Sequence, residues 1–433
     1  MIRPASRRGG LALRLGAWAW LALLAVLMRV PAADAAEPGE TLQISLLTYG
    51  PGELYWERFG HNALLVRDRA TGEALVYNYG MFDFAEDDFF WNFVRGRMTY
   101  HVGAWPLDED LPAYVAAGRG AVEQQLDLAP AQRAALRDFL EWNVQPAHAR
   151  YDYDYFTSNC STRIRDAIDR ALGGALRDQS RGRSRGYTYR MDAVRLLAPQ
   201  PWLMHVVDLG LGPFADQRLD FWQESFVPMT LASVVRDARI VDDAGATRPL
   251  VMAEDTLAEN RIAAPPELPA DLRWPFLAGG IGIGLALTAL ARARRYRAAR
   301  IGFSLAALLV ALAAGLGGLV LALLWGFTEH RAAWRNENLL LLDPLCLALL
   351  PTWWAAMRPA WRPGRVARML MLLVLLAAGF AVFSKVLPWF VQQNGHWIAL
   401  LVPIHVALAL ALWRQPAPGR AAANIAGDDP EAA

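Results

Sequence analysis

The chain has 433 residues, 55% of them hydrophobic, with 43 Lys and Arg against 42 Asp and Glu for a formal charge of +1. So even a balance gives no electrostatic footing for a nucleic-acid partner, and the length allows two domains. Only two cysteines, Cys160 and Cys346, are present, too few for a disulfide scaffold.

The amino terminus carries Arg3, Arg7, Arg8 and Arg14, then the apolar run AWAWLALLAVLM, then Ala33-Asp34-Ala35. That order predicts a secretory signal peptide over 1–35, with an uncleaved N-terminal anchor as the alternative. Either way residues 37–273 are expected in the periplasm, where disulfides form readily. Cys160 is then a lone thiol in an oxidising compartment, either an inert buried residue or a nucleophile.

TLQISLLTYG (41–50), HNALLVRD (61–68) and ALVYNYG (74–80) read as strands, the last two joined by a turn through Thr71-Gly72. AQRAALRDFLEWNV (131–144) has helical spacing behind Pro130. In TSNCSTRIRDAI and the residues after it, Cys160, Ile164, Ala167, Ile168, Ala171 and Leu172 fall on one helical face, stopped by Gly173-Gly174. Ser158 or Asn159 serves as N-cap. Cys160 therefore sits in a first helical turn, where the dipole favours a thiolate.

A thiolate nucleophile needs a base. Of His61, His101, His148 and His205, His61 is the best placed, at the start of a strand in FGHNALLV with Gly60 before it. A third polar residue should orient His61, and Asn78 on the neighbouring strand is the candidate. It shares the face of His61 if the hairpin pairs positions that sum to 141; a slip of one brings Tyr77 or Tyr79 there instead. No H-x-x-x-H or C-x-x-C spacing occurs, so no metal is expected, and no cofactor.

FDFAEDDFFWNFVRGRMTYHVGAW (82–105) is dense in aromatics, Trp91 among them, and is read either as core and hairpin packing or as a surface for acyl chains or the membrane interface. SRGRSRGYTYR (180–190) is a basic run, a solvated loop or a site for anionic headgroups. Beyond 273 the apolar content concentrates in five spans, approximately 274–291, 301–327, 338–357, 366–390 and 396–413, each long enough for a bilayer core of about 30 Å. Arginines cluster after the first and third spans, which places those loops in the cytoplasm and residues 37–273 outside. The tail, 414–433, reads as a disordered cytoplasmic end. Glu329, His330, Arg331, Arg335, Glu337, Asn338 and Asp343 crowd the outer edge of spans two and three.

A histidine on an early strand followed about a hundred residues later by a cysteine at a helix start resembles the circularly permuted NlpC-type hydrolases, and shares its order with the lecithin:retinol acyltransferase family. More closely, LLTYGPGELYWERFGHNALLV, VYNYGMFDF, YDYDYFTSNCSTRIRD, LGPFADQRLDFWQESFVPMTL and HRAAWRNENLLLLDPL resemble blocks of the Lnb-type family over about 41–400. The resemblance implies an α+β permuted papain-like (NlpC-type) periplasmic domain (37–200), followed by a periplasmic extension (201–273) and an all-α bundle of about five transmembrane helices (274–413) in the bacterial inner membrane. It also implies an acyltransferase that moves a chain from a membrane phospholipid to the N-terminal amine of a bacterial lipoprotein, with Cys160 as nucleophile and His61 as base. Asn159, Tyr49, Trp91, His330 and Asn338 are the candidate substrate contacts. The competing readings are a periplasmic cysteine amidase or endopeptidase acting on peptidoglycan, and a non-enzymatic membrane sensor or scaffold.

Overall fold

The computed structural model describes residues 37–241 and 245–413; the expected signal peptide (1–35) and cytoplasmic tail (414–433) lie outside the described residues. Strands β1 (Leu42–Tyr49), β2 (His61–Asp68) and β3 (Ala74–Met81) follow the three runs read from the sequence. Successive side chains on a strand point to opposite faces. Leu46 and Leu64 accordingly enter one buried cluster, Leu47 and Leu65 another. With both faces covered, the strands are apolar along most of their length rather than half-polar.

Among the described residues the head has six further strands: β4 (Thr99–Pro106), β5 (Ala121–Leu126), β6 (Arg150–Asp152), β7 (Arg239–Val241), β8 (Thr247–Pro249) and β9 (Val251–Ala258). Seven of the nine form one antiparallel sheet in the order β6-β4-β3-β2-β1-β5-β9, and β7 with β8 makes a separate ribbon. Within 201–273, expected as an extension towards the membrane, β9 pairs along β5 and closes one edge of the head sheet.

Helices α1 (Phe89–Arg95) and α2 (Leu107–Ala116) bracket β4, and α3 (Pro130–Asn143) and α4 (Cys160–Ala171) follow. The head ends with α5 (Tyr189–Leu197), α6 (Pro201–Gly210) and α7 (Pro228–Asp237). Leu136 and Leu140 of α3, Ile164 and Ile168 of α4, and Leu231 and Val235 of α7 pack on one sheet face. Leu111 and Tyr114 of α2 cover the other. Helix α4 starts where it does because Asn159 accepts from the Thr162 N–H while Thr162 Oγ1 accepts from the Asn159 N–H, at 2.9 and 2.8 Å. This reciprocal pair satisfies two N–H groups at the helix entry that have no partner within the helix.

Among the described residues, four helices are long and apolar enough to cross a membrane: α8 (Arg273–Arg292), α9 (Arg297–Phe327), α10 (Arg365–Phe383, continued by a turn to Val386) and α11 (Gly395–Trp413). The expected third span, 338–357, is instead a broken pair, Arg331–Leu340 and Leu345–Ala355, bent by 44°. Pro344 sits at the break; it has no N–H and biases Asp343 away from helical geometry. The Asp343 carboxylate restarts the chain as a helix by accepting from the Leu345 N–H at 2.9 Å. Counting the bent pair as one span gives five.

The head rests on the two arginine-poor loops of this helical part. Asn336 Nδ2 donates to Leu209 O at 2.8 Å and Gln392 Nε2 to Leu211 O at 3.0 Å. Buried Asp208 binds His396 Nε2 at 2.6 Å and Arg190 at 2.9 Å, and Arg190 also pairs with Asp216 at 2.8 Å.

Candidate active site

His61 opens β2 behind Gly60, whose φ of +84° suits glycine. The β2–β3 hairpin pairs Ala63 with Asn78, the register in which positions sum to 141. Asn78 therefore shares the face of His61, and its Oδ1 lies 2.8 Å from His61 Nε2. The amide orientation is set from behind, since Asn78 Nδ2 donates to Asp110 Oδ1 at 2.9 Å. A carboxylate oxygen can only accept, so the amide oxygen is left facing the imidazole, and Nε2 must carry the proton. Nδ1 is then the proton-accepting nitrogen. The other Asp110 oxygen accepts from the Tyr49 hydroxyl at 2.6 Å. Tyr49 and Tyr114 stack at 3.7 Å between centroids, and both lie parallel to the imidazole about 6 Å away.

Cys160 is half-buried and free. Its sulfur faces the backbone N–H groups of Asn62, Ser161 and Cys160 itself, which brings it beside the residue that follows His61. A Cβ added at Gly80 would lie 3.5 Å from Cys160 Cβ and 3.9 Å from both the Cys160 nitrogen and the Tyr151 hydroxyl. Gly80 falls at a bulge between β3 and β4, and its N–H turns to the Tyr151 oxygen. The Tyr151 hydroxyl is buried and makes no regular hydrogen bond.

The electrostatics differ from the dipole argument made on sequence. Burial pushes the Cys160 thiol up, against the three N–H groups and the Arg119 charge that favour the thiolate. Burial also pushes His61 down to about 4, with the Asn78 hydrogen bond opposing and Arg119 assisting. Desolvation thus outweighs the helix start. Near neutral pH the site holds a neutral thiol and a neutral imidazole, the arrangement for general-base activation rather than a preformed ion pair. Burial raises Asp110 as well, against hydrogen bonds from Tyr49 and Asn78.

The remaining sequence candidates separate by place. Tyr49 is fully buried, and its hydroxyl serves Asp110 rather than a substrate. Asn159 is committed to the fold, its Nδ2 donating to Tyr155 O at 3.1 Å and Phe226 O at 2.9 Å while its oxygen caps α4. Asn338 is fully buried and holds Leu209 O and Asn394. The His330 ring spans Tyr155 Oη and Phe93 O, at 3.2 and 2.9 Å, so it joins the membrane part to the head. Trp91 is exposed on α1. Asp110, Arg119 and Tyr151 escaped the sequence reading. Asp110 and Tyr114 at i and i+4 carried a signal, one helical face holding a carboxylate and an aromatic, but the acidic run around them resembles a solvated surface.

Two family models match the chain: the Lnb N-terminal periplasmic domain over residues 30–200 and the Lnb transmembrane domain over residues 280–415. Between them they cover well over half of the sequence, and the chain belongs to the Lnb family. It is a membrane protein with a mixed α/β periplasmic head followed by a helical membrane region. No curated protein and no solved structure matches the chain.

Proposed function

We propose that the protein is a thiol acyltransferase of permuted papain-like design, which takes an acyl chain from a membrane phospholipid onto Cys160 and passes it to the N-terminal amine of a bacterial lipoprotein in the inner membrane. The observation that carries this reading is the relay from His61 through Asn78 to Asp110 beside a half-buried, helix-start thiol, in a head seated on membrane helices. His61 Nδ1 takes the thiol proton as the sulfur attacks the ester carbonyl. The oxyanion is held by the Cys160 N–H and the Tyr151 hydroxyl across the space above Gly80. Collapse breaks the ester C–O bond, His61 returns the proton to the departing glycerol oxygen, and lysophospholipid leaves a thioester. The lipoprotein amine then attacks the thioester carbonyl and gives a proton to His61. The C–S bond breaks, an amide remains, and the thiol is restored.

Mass spectrometry of a reporter lipoprotein's N-terminal peptide tests this, in a host that lacks its own N-acyltransferase. Wild type is expected to yield the N-acylated peptide and Cys160→Ala none at equal membrane abundance. Absence of the acylated peptide with both proteins removes the substrate assignment, and a cut in peptidoglycan would replace it.

A further inference from the structure

Helix α1 has no buried residue, which is unusual for a segment of an ordered head. Phe90 is 65% exposed and Trp91 56%, with Phe93 and Val94 also open. An apolar patch of this kind facing water is unfavourable, by roughly 25 cal/mol per Å². Yet α1 is fixed to the end of a membrane span. The Glu329 N–H donates to Arg95 O at 2.8 Å, His330 Nε2 meets Phe93 O at 2.9 Å, and Arg97 Nε binds Glu329 Oε1 at 2.8 Å. Glu329 stands two residues beyond Phe327, the exposed last residue of α9. Gly96 permits the seam, because a Cβ there would lie 2.7 Å from the His330 nitrogen. The exposed face of α1 is therefore held at the level where a span leaves the bilayer, where amphipathic aromatics settle.

From this face a line of rings runs inward. Phe89 of α1 meets Phe82 at 5.8 Å, Phe82 meets Tyr100 at 5.0 Å, and Tyr100 stacks on Tyr153 at 4.2 Å. Tyr153 lies in the electrostatic neighbourhood of Cys160. We infer that α1 dips into the outer leaflet and that this aromatic line guides one phospholipid acyl chain from the bilayer to the thiol. The occupant is lipid rather than a protein partner, because the patch continues the apolar surface of α9. The second half of the inference rests on the proposed acyl uptake by Cys160.

Full-length protein carrying the photoreactive p-benzoylphenylalanine at Phe90, Trp91 or Val241 would be reconstituted into vesicles of phosphatidylethanolamine and phosphatidylglycerol. Val241 is a control, since it is 68% exposed on the separate β7–β8 ribbon. Irradiation is expected to attach phospholipid at Phe90 and Trp91 with roughly tenfold the yield at Val241. Equal yields, or cross-links to protein alone, overturn the lipid surface. In the same vesicles, Phe90→Asp with Trp91→Asp should slow thioester formation on Cys160 about tenfold, since a carboxylate at the interface opposes insertion. An unchanged rate overturns the path. Should the wild type form no thioester while the cross-links persist, the acyl-transfer reading fails and the lipid-facing assignment of α1 stands.

Discussion

His61 is held in place from within the fold. Asn78 is buried and fixes the proton on Nε2, and Asp110 fixes Asn78. Removing the amide with Asn78→Ala frees the ring to turn, and under the proposed mechanism a misplaced base costs about 100-fold in turnover. The loss should appear in kcat with little change in KM, measured as single-turnover thioester formation. Tyr151→Phe removes one of the proposed oxyanion donors and is expected to lower kcat by about 10²- to 10³-fold, while thermal stability stays near wild type because the hydroxyl makes no regular hydrogen bond. A pH series adds an independent check. With His61 lowered to about 4 by burial, the base stays unprotonated as the pH falls through the ordinary imidazole range. Thioester formation should therefore keep its rate down to about pH 5 and fall only below that. An acid limb centred near 6.5 would show an imidazole in water instead.

At the scale of elements, the strongest readings were those with periodic signals. The β2–β3 hairpin and the amphipathic α4 have bounds within a residue or two of the sequence reading, since apolar alternation and helical spacing are local patterns. The segment 82–105 resolved into α1 and β4, which composition could not separate because aromatics suit a helix, a strand or an interface alike. The bent pair replaced a straight span because one proline beside an aspartate outweighs a long apolar run. This pair leans on α9 through glycine: a Cβ at Gly318 would overlap the Leu342 carbonyl. Gly318→Val is accordingly expected to destabilise the helical part by about 1–3 kcal/mol, read as a lower unfolding temperature in detergent with the head's near-ultraviolet signal retained.

Across the whole molecule the head and membrane helices share buried polar groups. Asp208 on α6 pairs with Arg190 within the head and with His396 and Trp397 at the start of α11. Asp208→Ala would leave Asp216 as the one carboxylate on Arg190 and strip two donors at the joint of their acceptor. A loss of about 3–5 kcal/mol is expected, seen in thermal unfolding as a split between head and helical part. A single unshifted transition would mean that the joint does not depend on this carboxylate.

The division into head and membrane helices, the paired strands, the helix that begins at Cys160, and the family can all be read along the chain, because apolar period, capping residues and charge asymmetry are local patterns. The rest depends on contacts between segments far apart in the chain. The hairpin register placed Asn78 rather than Tyr77 or Tyr79 against His61; β9 joined the head sheet; and Asp110 and Tyr151 came to the site from distant segments. Tertiary burial also reversed the expected thiolate, since the cost of desolvating a charge is set by everything packed around it, and no local window of sequence contains that.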